Sequence, residues 1–313
     1  MKIAFSTLGC PEFGWRDIYS LAKDFGFDGI EVRGLGNKRF TGPGQPLSEE
    51  QWPHTKQKLE ELRLEISCLS SGCCLKFAEK AEENHNELVR YITLAGKLGT
   101  PYIRILGDSE PQPTGAVDDQ VVLAALRRLI PIAEANQVTL LVETSGAYAD
   151  TKRLGQLLNQ VASDAIGALW DIHHPYRFAG ETPEQTVQHL GAYIKYVHVK
   201  DSVVIDNVIQ YRMLGEGNLP IAQIMSALNS IKYAGYLSLE WVKTWAPDLA
   251  NAGVVFPHFA HYMNRFIEKN TSKGRLFDNN AKTGKYIWEK DSLIDLTFPQ
   301  VLDHVVAEFP DQY

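Results

Sequence analysis

The chain has 313 residues, 44% of them hydrophobic and 22% charged, the composition of an ordinary globular protein. Its formal net charge of -7 excludes non-specific nucleic-acid binding, which needs basic surface to displace counterions. No run of about eighteen apolar residues occurs, so no membrane-spanning helix and no membrane partner are expected.

The N-terminal MKIAFSTLGCP has a short apolar stretch broken by Ser6, Thr7 and Gly9, and it reads as a strand rather than a secretion signal. Cys10, Cys68, Cys73 and Cys74 show no paired metal spacing, and the vicinal Cys73 and Cys74 are poor disulfide partners. Reduced cysteines in a cytoplasmic protein are the expectation.

Strand-like and helix-like segments alternate along the chain. KIAFST (2–7) precedes a helix from Trp15 to Phe25, and DGIEVR (28–33) precedes a Gly- and Pro-rich loop (34–46). The helix SEEQWPHTKQKLEELR follows, with Pro53 near its start, where a missing N–H costs little. Then come LEISCLSS, helix 79–98, PYIRILG (101–107), helix 118–136, VTLLVET and helix 151–161. IGALWDI, helix 183–191, YIKYVHVKD, helix 220–232, YLSLEW and helix 248–268 complete the series. Eight strand–helix units predict an α/β fold of the (β/α)₈ TIM-barrel class over residues 1–269. A doubly wound sheet has the same alternation, but no Gly-rich phosphate loop follows the first strand. Residues 270–313 read as a polar linker and a helical C-terminal extension patterned by Val301, Leu302, Val305, Val306 and Phe309.

Catalytic groups of such barrels sit at the carboxyl ends of the strands. Glu143, Asp171, His198 and Glu240 close four consecutive strand runs and form a ligand set for one divalent metal ion. Three carboxylates and an imidazole favour Mn²⁺, Mg²⁺ or Co²⁺, with Zn²⁺ next. The Asp-x-x-His spacing puts His174 at the rim beside Asp171, where it contacts substrate, whereas His173 reads as a plain loop histidine. Lys200 shares the strand face of His198 and reaches the same cavity. Asp201 turns the chain, and Gly215 and Gly217 suit a tight loop. Arg212 either holds an oxygen of the substrate or is an exposed arginine without a role. Further contacts are expected near Thr7, Trp15, Glu31, Arg33, Ser70 and Arg104. Trp15 stacks on a sugar ring or joins the core; Arg33 and Arg104 recognise an anionic group or pair with Glu31.

LLVET, WDIHH, YVHVKD followed by LGEG, and YLSLEW resemble the xylose-isomerase-like superfamily of sugar isomerases and epimerases. The resemblance covers residues 1 to about 268. It implies that Glu143, Asp171, His198 and Glu240 hold the metal, with His174 and Arg212 binding substrate. DNA repair members of the group need extra histidines and a basic surface, which this chain lacks. The segment LIDLTFPQVLDHVVAEFPDQY resembles the opening of an acyl-CoA synthetase-type adenylate-forming domain, implying a fused partner domain.

These features predict an enzyme of carbohydrate metabolism: a metal-dependent isomerase or epimerase of a sugar or small polyol ketone. Proton transfer would pass through a metal-stabilised enediolate, with Glu143 and Glu240 as the acid–base pair. The alternative is a lyase of the inosose-dehydratase kind using the same site; a ligand-binding barrel without catalysis ranks third. The surface helices leave room for a homo-oligomer.

Overall fold

In the computed structural model, residues 1–34 and 39–267 are described. The expected linker and helical extension, with its resemblance to an adenylate-forming domain, lies outside them. The barrel strands are β1 (Lys2–Ser6), β2 (Gly29–Arg33), β3 (Glu65–Cys74), β4 (Tyr102–Leu106), β5 (Thr139–Glu143), β6 (Ile166–Asp171), β7 (Ile194–Val199) and, after a hairpin, β10 (Tyr236–Leu239). They pair in parallel in the closed order β1-β10-β7-β6-β5-β4-β3-β2, as the sequence predicts. All six residues of β6 are buried, which explains why these runs show little polar–apolar alternation.

Helices α1 (Trp15–Asp24), α2 (Trp52–Leu62), α3 (Ala81–Leu98), α4 (Asp119–Ala135), α5 (Thr151–Val161), α6 (Pro183–Leu190), α7 (Ile221–Ser230) and α8 (Ala252–Met263) alternate with the strands. Local chemistry sets several starts: the side chains of Asp118, Asp150 and Thr182 accept backbone N–H groups at the heads of α4, α5 and α6. The segment expected to be helical from residue 48 is a turn up to Gln51, and the helix begins beside Pro53. Likewise, the last helix starts at Ala252 rather than 248.

Two hydrophobic layers result. The larger lies between the strands and the helices, and in it Phe5 of β1, Phe27, and Phe256 and Phe259 of α8 join the two ends of the barrel. Phe5 and Phe256 have ring centroids 4.6 Å apart, and Phe27 and Phe259 lie 6.1 Å apart. Burying each phenyl group is worth about 2–3 kcal/mol. The smaller layer fills the barrel itself with Ala4, Cys68, Leu141, Leu169 and Tyr196. It is a floor, and the strand period of two places the chemistry just above it: Leu141 precedes Glu143, Leu169 precedes Asp171, and Tyr196 precedes His198.

An antiparallel hairpin, β8 (Asp201–Ile205) and β9 (Val208–Arg212), interrupts the eightfold rhythm between β7 and α7. Its two-residue loop, Asp206-Asn207, has both φ angles positive (50° and 62°), the geometry that matches hairpin twist. Asp201 does more than turn the chain. Its buried carboxylate accepts N–H bonds from Ser202 (2.8 Å), Gly215 (2.9 Å), Gly217 (3.0 Å) and Leu219 (3.2 Å), latching the LGEG loop to the end of β7. Gly217 is required because a Cβ there would stand 2.0 Å from Asp201 Oδ1. Asp201→Ala strands these donors and is expected to cost roughly 2–4 kcal/mol in urea unfolding, with Gly217→Ala comparable. A loss under about 1 kcal/mol in both would remove the latch from the account.

Candidate active site

Glu143 and Asp171 end β5 and β6, His198 is the penultimate residue of β7, and Glu240 directly follows β10. Register aligns them: Asp171 and Ser238 both face His198 across the sheet. All four are buried, and one ligand atom from each lies within 4.8 Å of the others.

Each group is fixed by a partner outside the four. His198 Nε2 meets Glu31 Oε1 and Oε2 at 3.1 and 3.0 Å. Glu31 also accepts the hydroxyls of Ser70 and, at 2.7 Å, Ser238. This pairing turns His198 Nδ1 toward Glu143 (3.8 Å) and Glu240 (3.5 Å), and leaves it without a hydrogen bond. Arg104 grips Glu143 Oε2 at 2.5 Å and the Ser71 carbonyl at 2.9 Å. Lys200 Nζ lies 2.5 Å from Glu240 Oε2 and 2.5 Å from Asp171 Oδ2. Asp171 Oδ1 accepts the backbone N–H groups of His173 and His174.

The electrostatics follow from this packing. Burial pushes the Glu143 carboxyl up, but Arg104 and then His198 hold it well below the usual carboxylate range. Glu240 is lowered too: burial raises it, and Lys200 and His198 outweigh that. Burial alone would depress His198, yet Glu31 and Glu240 raise it well above the ordinary imidazole value. A positive charge at Nδ1 is therefore what the surrounding carboxylates favour. Burial lowers His174, keeping it neutral near neutral pH.

These residues fit a divalent cation. Four buried carboxylates (Glu31, Glu143, Asp171, Glu240) face two buried permanent cations, Arg104 and Lys200. The orphaned Nδ1 points into the space between hard oxygen donors, the donor set for Mn²⁺, Mg²⁺, Co²⁺ or Zn²⁺.

A cavity of about 280 Å³ opens over the cluster, lined by Glu143, Glu240, Lys200 and His174 among others. His174, buried, stands 3.8 Å from both Glu143 Oε1 and Asp171 Oδ2 and lines the cavity. Arg212 is not among the lining residues; its guanidinium binds the Tyr211 carbonyl (3.1 Å) and the Gln210 side chain (2.6 Å), and Tyr211 lines the cavity instead. His173 is no plain loop residue: it is buried, with Nε2 3.0 Å from Ser202 Oγ. Trp15 takes the core alternative, packing its ring on Phe40 at 5.7 Å. The expected pairing of Arg33 or Arg104 with Glu31 does not form, because Glu31 is taken by His198. Trp245 and Tyr211 are lining residues that sequence reasoning missed; alternation from Lys200 cannot cross a hairpin, and Trp245 has no strand to index it.

The barrel resembles several solved structures. They include the probable 3-DHS dehydratase AsbF involved in petrobactin synthesis from Bacillus anthracis (18% identity, 84% of this chain and 98% of that one, TM-score 0.68). The IOLI protein with a bound zinc atom is similar at 17% identity, over 86% of this chain and all of that one, with a TM-score of 0.69. D-psicose 3-epimerase from Clostridium cellulolyticum H10, solved with D-tagatose, matches at 15% identity over 85% and 99% of the chains, TM-score 0.67. At these identities the likeness is one of fold. No curated protein sequence matches. The profile described as xylose isomerase-like TIM barrel matches residues 19–255, and the chain belongs to that family.

Proposed function

We propose that this chain is a divalent-metal-dependent isomerase or epimerase, moving a proton on carbon next to a carbonyl in a sugar or small polyol ketone. The observation that carries this reading is the convergence of Glu143, Asp171, His198 and Glu240 under a cavity of about 280 Å³. That volume is at the small end of ligand sites, the scale of a single sugar. A divalent cation held by the four would supply Lewis acidity toward the carbonyl and the neighbouring hydroxyl oxygens.

The chain's own groups do the rest. In the barrel order β7 and β6 stand between β10 and β5, so Glu240 and Glu143 approach the cavity from different sides. One can take a proton from one face of the substrate carbon while the other serves the opposite face. Lys200 and Arg104 keep both ionised at rest, so either can start as the base. A carboxyl that returns its proton on the same face isomerises or exchanges, whereas inversion needs the opposite carboxyl to carry a proton taken from solvent beforehand. Neutral His174 offers a hydrogen bond to a substrate hydroxyl in the cavity. A lyase reading is favoured by one observation: Lys200 and Tyr211, both proton donors, line the same cavity and could protonate a departing β-hydroxyl. A product lighter by one water selects the lyase; unchanged mass with an altered stereocentre selects the epimerase.

Incubated in D₂O with a panel of ketoses, inososes and hydroxypyruvate, the protein is expected to place deuterium on carbon next to a carbonyl, read by NMR. Glu143→Gln and Glu240→Gln should each slow this exchange by roughly 10²–10⁴-fold. A near-wild-type rate in either variant removes that residue from the acid–base pair. Chelation should abolish exchange, and added Mn²⁺ or Co²⁺ should restore it and raise the melting temperature by mass action. If the purified protein neither carries nor binds a divalent ion, the proposal fails. Glu31→Gln, which weakens the hold on His198 Nε2, is expected to reduce metal affinity by about 10–100-fold, measured by competition with a chelating dye.

A further inference from the structure

The positive side chains lining the cavity are not equivalent. Arg104 is committed to Glu143, and Lys200 to Asp171 and Glu240. Arg33, the last residue of β2, lines the same cavity, yet no carboxylate of the described residues lies within 4.0 Å of it. Its neighbour Glu31, two residues back on the strand, is saturated by His198, Ser70 and Ser238.

Arg33 is nevertheless held in place. Its backbone N–H donates to Thr7 Oγ1 at 2.9 Å, and its guanidinium lies over the Trp245 ring, 4.6 Å from the centroid. Stacking occupies one face of the guanidinium and leaves its N–H edge, the fork that matches a carboxylate, available. Trp245 itself is 59% exposed and lines the cavity beside Arg33. Glu31, Glu143 and Glu240 act on Arg33 only from beyond ion-pair distance among the described residues, so a partly buried cation, fixed in orientation, keeps its donors for an incoming anion.

The geometry points to a carboxylate on the substrate: we infer that Arg33, braced by Trp245, binds the acid group of a polyhydroxy keto acid or uronate, while Glu143 and Glu240 act on its carbonyl end. This rests on the proposed enolising reaction and adds the substrate class. A single uncommitted cation matches one negative charge, which favours a carboxylate over a phosphate dianion.

Three ligands that differ only at carbon six separate the cases: D-fructose, D-fructuronate and D-fructose 6-phosphate. Calorimetry on the metal-loaded full chain should show D-fructuronate binding on the order of 10-fold or more tighter than D-fructose. Arg33→Gln should bring that ratio close to one, Arg33→Lys should retain part of it, and Trp245→Leu should lower it several-fold. Melting curves identify any variant that fails to fold, and Trp245→Leu, at an exposed position, provides the independent arm. Equal affinity for D-fructuronate and D-fructose, including no binding of either, overturns the inference, as does a preference that survives Arg33→Gln. An Arg33-dependent preference for D-fructose 6-phosphate overturns the carboxylate assignment. Deuterium exchange is read separately: an Arg33-dependent preference without exchange refutes the proposed reaction and leaves the anion receptor standing.

Discussion

Bringing Glu31, Glu143, Asp171 and Glu240 together out of water is the constraint on which the mouth of this barrel depends. Each buried carboxylate carries a desolvation penalty of several kcal/mol, and four in one place also repel one another. The fold answers with one partner for each: His198 for Glu31, Arg104 for Glu143, and Lys200 shared by Asp171 and Glu240. These pairings use the outer oxygens of Glu143 and Glu240 and the far nitrogen of His198. What remains, Oε1 of each glutamate and Nδ1 of the imidazole, faces a common point. The same pairings that make burial tolerable thus also orient the site.

The barrel and its four strand-end groups were legible because they obey local rules. A parallel barrel strand is a short apolar run, and a polar residue closing such a run stands at the catalytic end of the fold. Four such endings in order, at Glu143, Asp171, His198 and Glu240, require no knowledge of distant contacts. What escaped was whatever depends on pairs far apart in sequence. Glu31 looked like a partner for Arg33 or Arg104, which also stand near strand ends, yet His198, 167 residues away, claims it. The β8–β9 hairpin was hidden because Asp-Asn is a weaker turn signal than Asn-Gly or Asp-Gly. With the hairpin unseen, the facing of its residues was lost as well, and Tyr211 went unnoticed as a residue of the cavity wall.

Between the floor and the cluster, alternation along each strand is strict, and this makes the site sensitive to slippage of a single residue. A shift by one would turn Glu143 or His198 outward into the helix layer and bring an aliphatic neighbour to the mouth. The packed interior below, with Tyr196 bonded to Ser67 at 2.8 Å, opposes such a shift on β7. Floor and site are therefore one mechanical unit, and tight packing under the cavity serves the chemistry above it.

The contact of Glu31 with His198 spans the barrel as well as the sequence. It joins β2 to β7 across β1 and β10, and β1 pairs with β10 by aligning Lys2 with Tyr236. A chain still lacking that final seam has no Glu31 beside His198, and hence no oriented imidazole. Loops that long are slow to close, because the entropy of joining the ends is spent before any contact rewards it. The orientation of the imidazole is therefore complete only in the closed barrel. Glu143, Asp171, His198 and Glu240 all stand on the β10 side of that seam, so the group that ties them to the strands beyond it is Glu31, through the far nitrogen of His198.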